Sequence, residues 1–161
     1  MFKTLCLLPL LLLPLAVADP ESTTIEGFEH WTPSALADIT KSLTTKAATD
    51  PHHAATQRLP EYSHEYFLLA HREGDGQAEW HETEADVFFV QSGTATLVVG
   101  GTMVKPEATA PQEKRGPSID GGTRQTLAAG DIVRIPARIP HQLLVAPGQH
   151  FSYFVIKIKG Y

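Results

Sequence analysis

Residues 78–93 read AEWHETEADVFFVQSG, an acid-rich polar run that turns abruptly into the apolar segment Val87–Val90 and ends on Gly93. His81 stands between Glu79 and Asp86, with Glu82 and Glu84 around it. The stretch is either a metal-binding constellation or the solvated lip of a β-strand, and the rest of the chain decides between the two. Glu79 and His81 are two apart, so on a strand they share a face. By the same alternation Asp86, Phe88 and Val90 share a face, while Val87 and Phe89 point the other way, toward a helix or a partner subunit.

Working outward, the chain from Tyr62 onward has β texture. Tyr66–His71, Ala78–His81, Val87–Val90 and Thr94–Val99 read as short strands, broken by Gly74-Asp75-Gly76 and Gly100-Gly101. Residues 105–122 are rich in Pro and Gly and read as a long loop. Thr123–Leu127, Ile132–Ile135, Gln142–Val145 and Phe151–Lys157 follow. Short strands at regular spacing with Gly/Pro turns predict an antiparallel sandwich or barrel.

A second stretch, residues 130–141 (GDIVRIPARIPH), completes the pattern. Together, Glu79-x-His81-x4-Asp86-x6-Gly93 and Gly130-x5-Pro136-x4-His141 resemble the two motifs of the cupin superfamily, in order and with matching internal spacing. The family's second motif-1 histidine falls on His81 and its motif-2 histidine on His141. Glu79 stands in the place of the first histidine and Asp86 in the place of the glutamate. Arg138 replaces the motif glycine and Val145 the asparagine. The resemblance covers roughly residues 60–158. It implies an all-β fold, an antiparallel cupin-type β-barrel (a double-stranded β-helix or jelly roll), and association as a homodimer.

It also implies a metal site of Glu79, His81, Asp86 and His141. Two imidazoles and two carboxylates suit a divalent transition metal such as Mn, Fe, Ni, Zn or Co. Asp86 is one methylene shorter than glutamate, on the order of 1.3 Å of reach. Glu79 is either a ligand or a general base. Alternation makes the surroundings of the ion apolar, with Tyr66, Arg134 and Tyr153 as candidate polar handles. His30, His52, His53, His64, His71 and His150 match no motif and read as structural or surface residues.

The N-terminal third is different. Residues 1–18, MFKTLCLLPLLLLPLAVA, carry one early lysine, a leucine-rich core and Ala16-Val17-Ala18, the pattern of a secretory signal peptide. Two prolines and a short apolar run argue against a spanning helix. Cys6, the sole cysteine, leaves with that segment, so the exported chain relies on its core without disulfides. Residues 19–60 read as a polar extension with one helix, in which Thr32-Pro33 supplies the N-cap and first position and Leu36, Ile39 and Leu43 recur at helical spacing. Residues 61–161 form the barrel domain.

The formal charge of −5 becomes −6 when Lys3 is removed, which argues against nucleic acid or an anionic membrane as partner. No phosphate loop, nucleophile elbow or CxxC is present. The expectation is therefore an exported, periplasmic or secreted cupin that binds a divalent metal in its barrel and acts on a small organic molecule. An oxygenase, isomerase or lyase chemistry would fit such a site. The alternative is a cupin that binds a sugar or organic acid without catalysis and without a functional metal.

Overall fold

The computed structural model describes residues 25–161, so the expected signal segment with Cys6 lies outside the described residues. Helix α1 spans Pro33–Ala47. Thr32 caps it, its side chain accepting from the Ala35 N–H at 3.2 Å, and Pro33 opens it where no N–H is needed. The helix buries Leu43 and Ala47 completely. Leu43 packs with Leu69 and Phe154, flanked by Trp31, Leu36, Ile39, Phe67 and Phe89. Burying one leucine in this way is worth about 2–3 kcal/mol. The helix therefore seals the outer face of a sheet, and Phe89 points toward it as alternation requires.

The remaining elements are β1 (Ala54–Glu61), β2 (Glu65–Arg72), β3 (Ala78–His81), β4 (Glu84–Val99), β5 (Thr102–Val104), β6 (Glu107–Ala110), β7 (Glu113–Gly116), β8 (Ser118–Asp120), β9 (Thr123–Ala128), β10 (Ile132–Ile135), β11 (His141–Leu144) and β12 (Phe151–Lys159). Three expectations are corrected. The segment 19–60 is not only helical, because its last residues form β1, paired antiparallel with β2. The two strands expected around Gly93 are one continuous β4. The expected loop at 105–122 contains β6, β7 and β8, with β7 paired to β3 and β8 to β5.

All strand pairs are antiparallel, and β4 organises them. Its first half pairs with β12 (Phe88 opposite Val155) and β10 (Phe88 opposite Val133). Its second half pairs with β9 (Ala95 opposite Leu127) and β11 (Leu97 opposite Leu143). From β12 the sheet continues to β2 and β1, and from β11 to β3, β7 and β6. One long strand thus belongs to two sheets, whose inner faces enclose Phe88, Val90, Leu97, Leu127, Leu143 and Tyr153 among other core residues. This is a barrel wall that bends upon itself.

The bend has a local cause. Between Ser152–Ser92 and Tyr153–Val90 the register slips, leaving Gln91 as an extra residue in β4. Such a bulge bends and twists its strand. Gly93 follows with φ +78, and a Cβ there would collide with the His150 carbonyl oxygen. Gly93 is thus required both for its backbone angle and for close approach.

Gly93→Ala should lower the unfolding free energy by about 2–5 kcal/mol, combining left-handed strain with overpacking. Gly100→Ala has a similar φ of +76 but open space around it, and should cost only about 1–2 kcal/mol. Urea unfolding of the two variants measures the difference, and equal costs would contradict the close-approach role.

Candidate functional site

Six strands contribute to the site, and four of them, β3, β4, β11 and β12, carry its centre. In β3, Glu79 and His81 face the barrel interior, and Glu79 lies opposite His141 at the start of β11. Pro140 precedes His141 and restricts its approach. The turn of Glu82 and Thr83 returns the chain into β4, where Asp86 faces inward and lies directly opposite Lys157 of β12. In β12 the alternation Phe151, Tyr153, Val155, Lys157 keeps one face toward the core, so the lysine ends an otherwise apolar row. Arg138, in the place of the motif glycine, adopts φ +64, and its N–H donates to the His81 carbonyl at 2.8 Å. That bond ties the 136–140 stretch to β3.

The side chains converge closely. The Lys157 ammonium lies 2.6 Å from Asp86 Oδ1 and donates to His81 Nε2 at 2.7 Å. Asp86 Oδ2 faces both imidazoles, 3.3 Å from His141 Nε2 and 3.5 Å from His81 Nε2. The other nitrogen of His81, Nδ1, contacts Glu113 Oε2 at 2.6 Å, and His141 Nδ1 lies 3.1 Å from the Ile139 carbonyl. Glu79 pairs with Arg115 at 2.6 Å and with Arg72 at 3.6 Å, and Arg72 Nε donates to the Tyr153 hydroxyl at 3.2 Å. Asp86 Oδ1 has no well-directed hydrogen bond, although the ammonium is 2.6 Å away. The short separation makes this an ion pair whose attraction does not depend on direction, so we treat the oxygen as satisfied by charge.

His81, Asp86, His141 and Lys157 are all buried. Burial disfavours a charged Asp86, but the His141 ring nitrogen and the Lys157 charge outweigh it and hold its carboxyl far below the usual range. Burial likewise works against a charged Glu79, and Arg115 in particular overcomes it, so this carboxyl too is lowered. For His81, burial opposes the imidazolium while Asp86 and Glu113 favour it, and the balance raises its pKa. The contacts point the other way. Glu113 takes the Nδ1 proton and the ammonium needs a lone pair on Nε2, a combination only the neutral ring satisfies. These two short bonds assign the neutral Nδ1–H tautomer to His81.

These groups line a cavity of about 370 Å³ inside the barrel. Leu68, Phe88, Leu143 and Val155 form an apolar wall, with the charged cluster opposite. Tyr66 and Tyr153 line it as the sequence indicated. Burial and a hydrogen bond to Glu84 push the Tyr66 phenol above its ordinary value. Arg134 is corrected: its side chain is exposed on the outer face of β10 and donates to the Tyr161 hydroxyl at 2.8 Å, away from the cavity. Four residues of the site were missed. Lys157 and Arg72 were detectable by extending the inward alternation of β12 past Val155 and that of β2 past Ala70. Glu113 and Arg115 lie in the stretch taken for a loop, where nothing in the polar sequence marks a strand. Of the unmatched histidines, His71 is buried and bonded to Ser152 Oγ at 2.7 Å on the opposite face of β2.

Glu79, His81 and His141 each bring a donor atom within 4.8 Å of the others, a spacing that could hold a metal ion. Asp86 stands outside that trio and is committed to Lys157. The ammonium lies within bonding distance of the ring nitrogen that would ligate. Three cations (Lys157, Arg72, Arg115) already balance three carboxylates (Asp86, Glu79, Glu113) in the connected cluster. A divalent ion beside them would add two uncompensated buried charges. The residues as they stand do not fit it.

Because its folded pKa is depressed, Asp86 stabilises the fold above its ordinary value of 3.8, and that contribution is lost as pH falls toward the folded value. Asp86→Asn should therefore cost about 3–5 kcal/mol at pH 7, by leaving the ammonium buried without a counter-charge. The variant's stability should also fall less steeply than wild type below pH 4, and urea unfolding across pH 3–7 measures both effects.

No protein-family model matches the chain, and no curated protein does. Among solved structures it is similar to the polyketide cyclase RemF from Streptomyces resistomycificus, at 17% identity and a TM-score of 0.47, over 65% of this chain and 64% of that one. The match therefore spans less than two thirds of that protein. It is similar also to a cupin superfamily protein from Desulfitobacterium hafniense (11% identity, TM-score 0.47, covering 66% and 77%). A third is a predicted oxalate decarboxylase from Thermotoga maritima (12%, 0.49, covering 66% and 80%). These similarities are too slight to carry function. The chain's own strand path and its inward-facing motif residues make it an all-β, antiparallel barrel of the cupin type with one N-terminal helix.

Proposed function

We propose that the barrel cavity binds a small organic acid and does so without a metal. The observation that carries this reading is the cavity lining. Three cations (Arg72, Arg115, Lys157) and three carboxylates (Glu79, Asp86, Glu113) stand beside an apolar wall, and Arg58, which also lines the cavity, is paired with Glu61, so the N–H donors of the cations are held in a polar half without net charge. Such a site suits a ligand with an apolar body and an anionic head. Glu79, sought as a general base, is a weak candidate for that role, because its lowered pKa leaves little affinity for a proton near neutrality. Its contacts make it the group that orients Arg72 and Arg115.

A metal-dependent enzyme is the second reading, favoured by the three donor atoms of Glu79, His81 and His141. It requires Lys157 to withdraw. Export through residues 1–18 and assembly as a homodimer belong to the same proposal. Sedimentation of the chain from residue 19 onward should give about twice the monomer mass, and a monomer at all concentrations would remove the dimer.

Thermal unfolding with a panel of small mono- and dicarboxylic acids and neutral sugars tests the function. A ligand at a hundredfold its Kd should stabilise by about 2.7 kcal/mol, roughly 5–10 °C for a domain of this size. An acid is expected to give this shift, to keep it with EDTA present, and to lose it in Arg72→Met. A shift abolished by EDTA supports the metal reading, and a shift from sugars alone contradicts the acid.

A further inference from the structure

We infer that Lys157 replaces the metal: its ammonium is the fixed cation of the cage, and a divalent ion is excluded while it is there. The inference rests on reading the barrel interior as the functional site.

The position of Lys157 follows from backbone register. It lies directly opposite Asp86 in the β12–β4 pair and continues the inward row of Phe151, Tyr153 and Val155. Its side chain is buried, which for a lysine requires compensation from partners. Those partners belong to the expected ligand set. Asp86 Oδ1 is 2.6 Å away and His81 Nε2 is 2.7 Å away, so one positive charge engages both a carboxylate and an imidazole lone pair, as a metal would. Glu113 holds the Nδ1 proton of His81 and so aims the Nε2 lone pair at the lysine. The same arrangement would orient a ligating histidine, but here the group it serves is part of the chain.

An ammonium differs from a metal in what it offers a ligand. It has three N–H donors, of which Asp86 and His81 occupy two. The third has no partner among the described residues, and Lys157 lines the cavity. It can therefore bond a carboxylate or carbonyl oxygen placed against the apolar wall. Lys157 thus supplies the anchoring positive charge for the proposed acid, as a hydrogen-bond donor and not as a Lewis acid.

The test is metal content, which uses no organic ligand and can therefore fail independently of the proposed function. Untagged wild type, Lys157→Met and Lys157→Arg are dialysed against Mn²⁺, Ni²⁺ or Zn²⁺ and counted by elemental analysis. His141→Ala versions correct for ions on surface histidines, and circular dichroism checks folding. Wild type and Lys157→Arg should hold almost no ion that depends on His141. Lys157→Met should take up close to one per chain, because the cage then lacks its cation. A wild-type chain that binds about one His141-dependent ion overturns the inference, as does a folded Lys157→Met that stays empty. If Lys157→Met does not fold, the wild-type count decides alone.

Discussion

Lys157 and Asp86 face each other across β12 and β4, and this ion pair constrains everything around it. An ammonium and a carboxylate inside a barrel each carry a desolvation cost of several kcal/mol, which neither can bear without the other. Asp86 therefore turns its second oxygen toward His141 and His81, and His81 turns its remaining nitrogen toward Glu113. A charged pair in the wall thus dictates the orientation of both histidines. The neighbouring Glu79, Arg72 and Arg115 compensate one another in the same way, so the polar half of the cavity is neutral before any ligand arrives.

The fold supplies the rigidity that this arrangement needs. Because β4 runs through both sheets, Asp86 at one end and the Leu97–Leu143 contact at the other are held by one backbone. The bulge at Gln91 and the left-handed Gly93 turn that strand between the sheets. On the outer side, α1 covers Leu69 and Phe154, so β2 and β12 are packed on both faces. A side chain at the end of β12 can then be positioned to within hydrogen-bond tolerance, which an edge strand open to solvent would not ensure.

Much of this was legible in the sequence because it depends on spacing. The interval from His81 to Asp86 to Gly93, and from Gly130 to Pro136 to His141, reflects turns and inward faces that any strand of that length must repeat. The N-cap and apolar stripe of α1 were legible for the same reason. What was not legible depends on pairing between distant strands. Lys157 in FSYFVIKIK looks like the polar end of a strand, and only the register against β4 reveals that Asp86 lies opposite. Arg115 and Glu113 reach the site because β7 pairs with β3, which the Pro- and Gly-rich composition around them disguises. Arg134 was misassigned because β10 alternates its exposed side chains outward, and Arg134 shares that outer face with Ile132. A residue-by-residue reading of motif positions finds the donors but cannot find the cation that already occupies them.

The central claim is that the charge at the heart of this barrel is an ammonium. A high-resolution crystal structure of the wild-type chain, grown with Mn²⁺ or Zn²⁺ present and analysed for anomalous scattering, tests it most directly. The account predicts Lys157 Nζ between Asp86 and His81, with no anomalous peak inside the cavity. A peak within ligand distance of Glu79, His81 and His141, with the lysine turned away from Asp86, would contradict it.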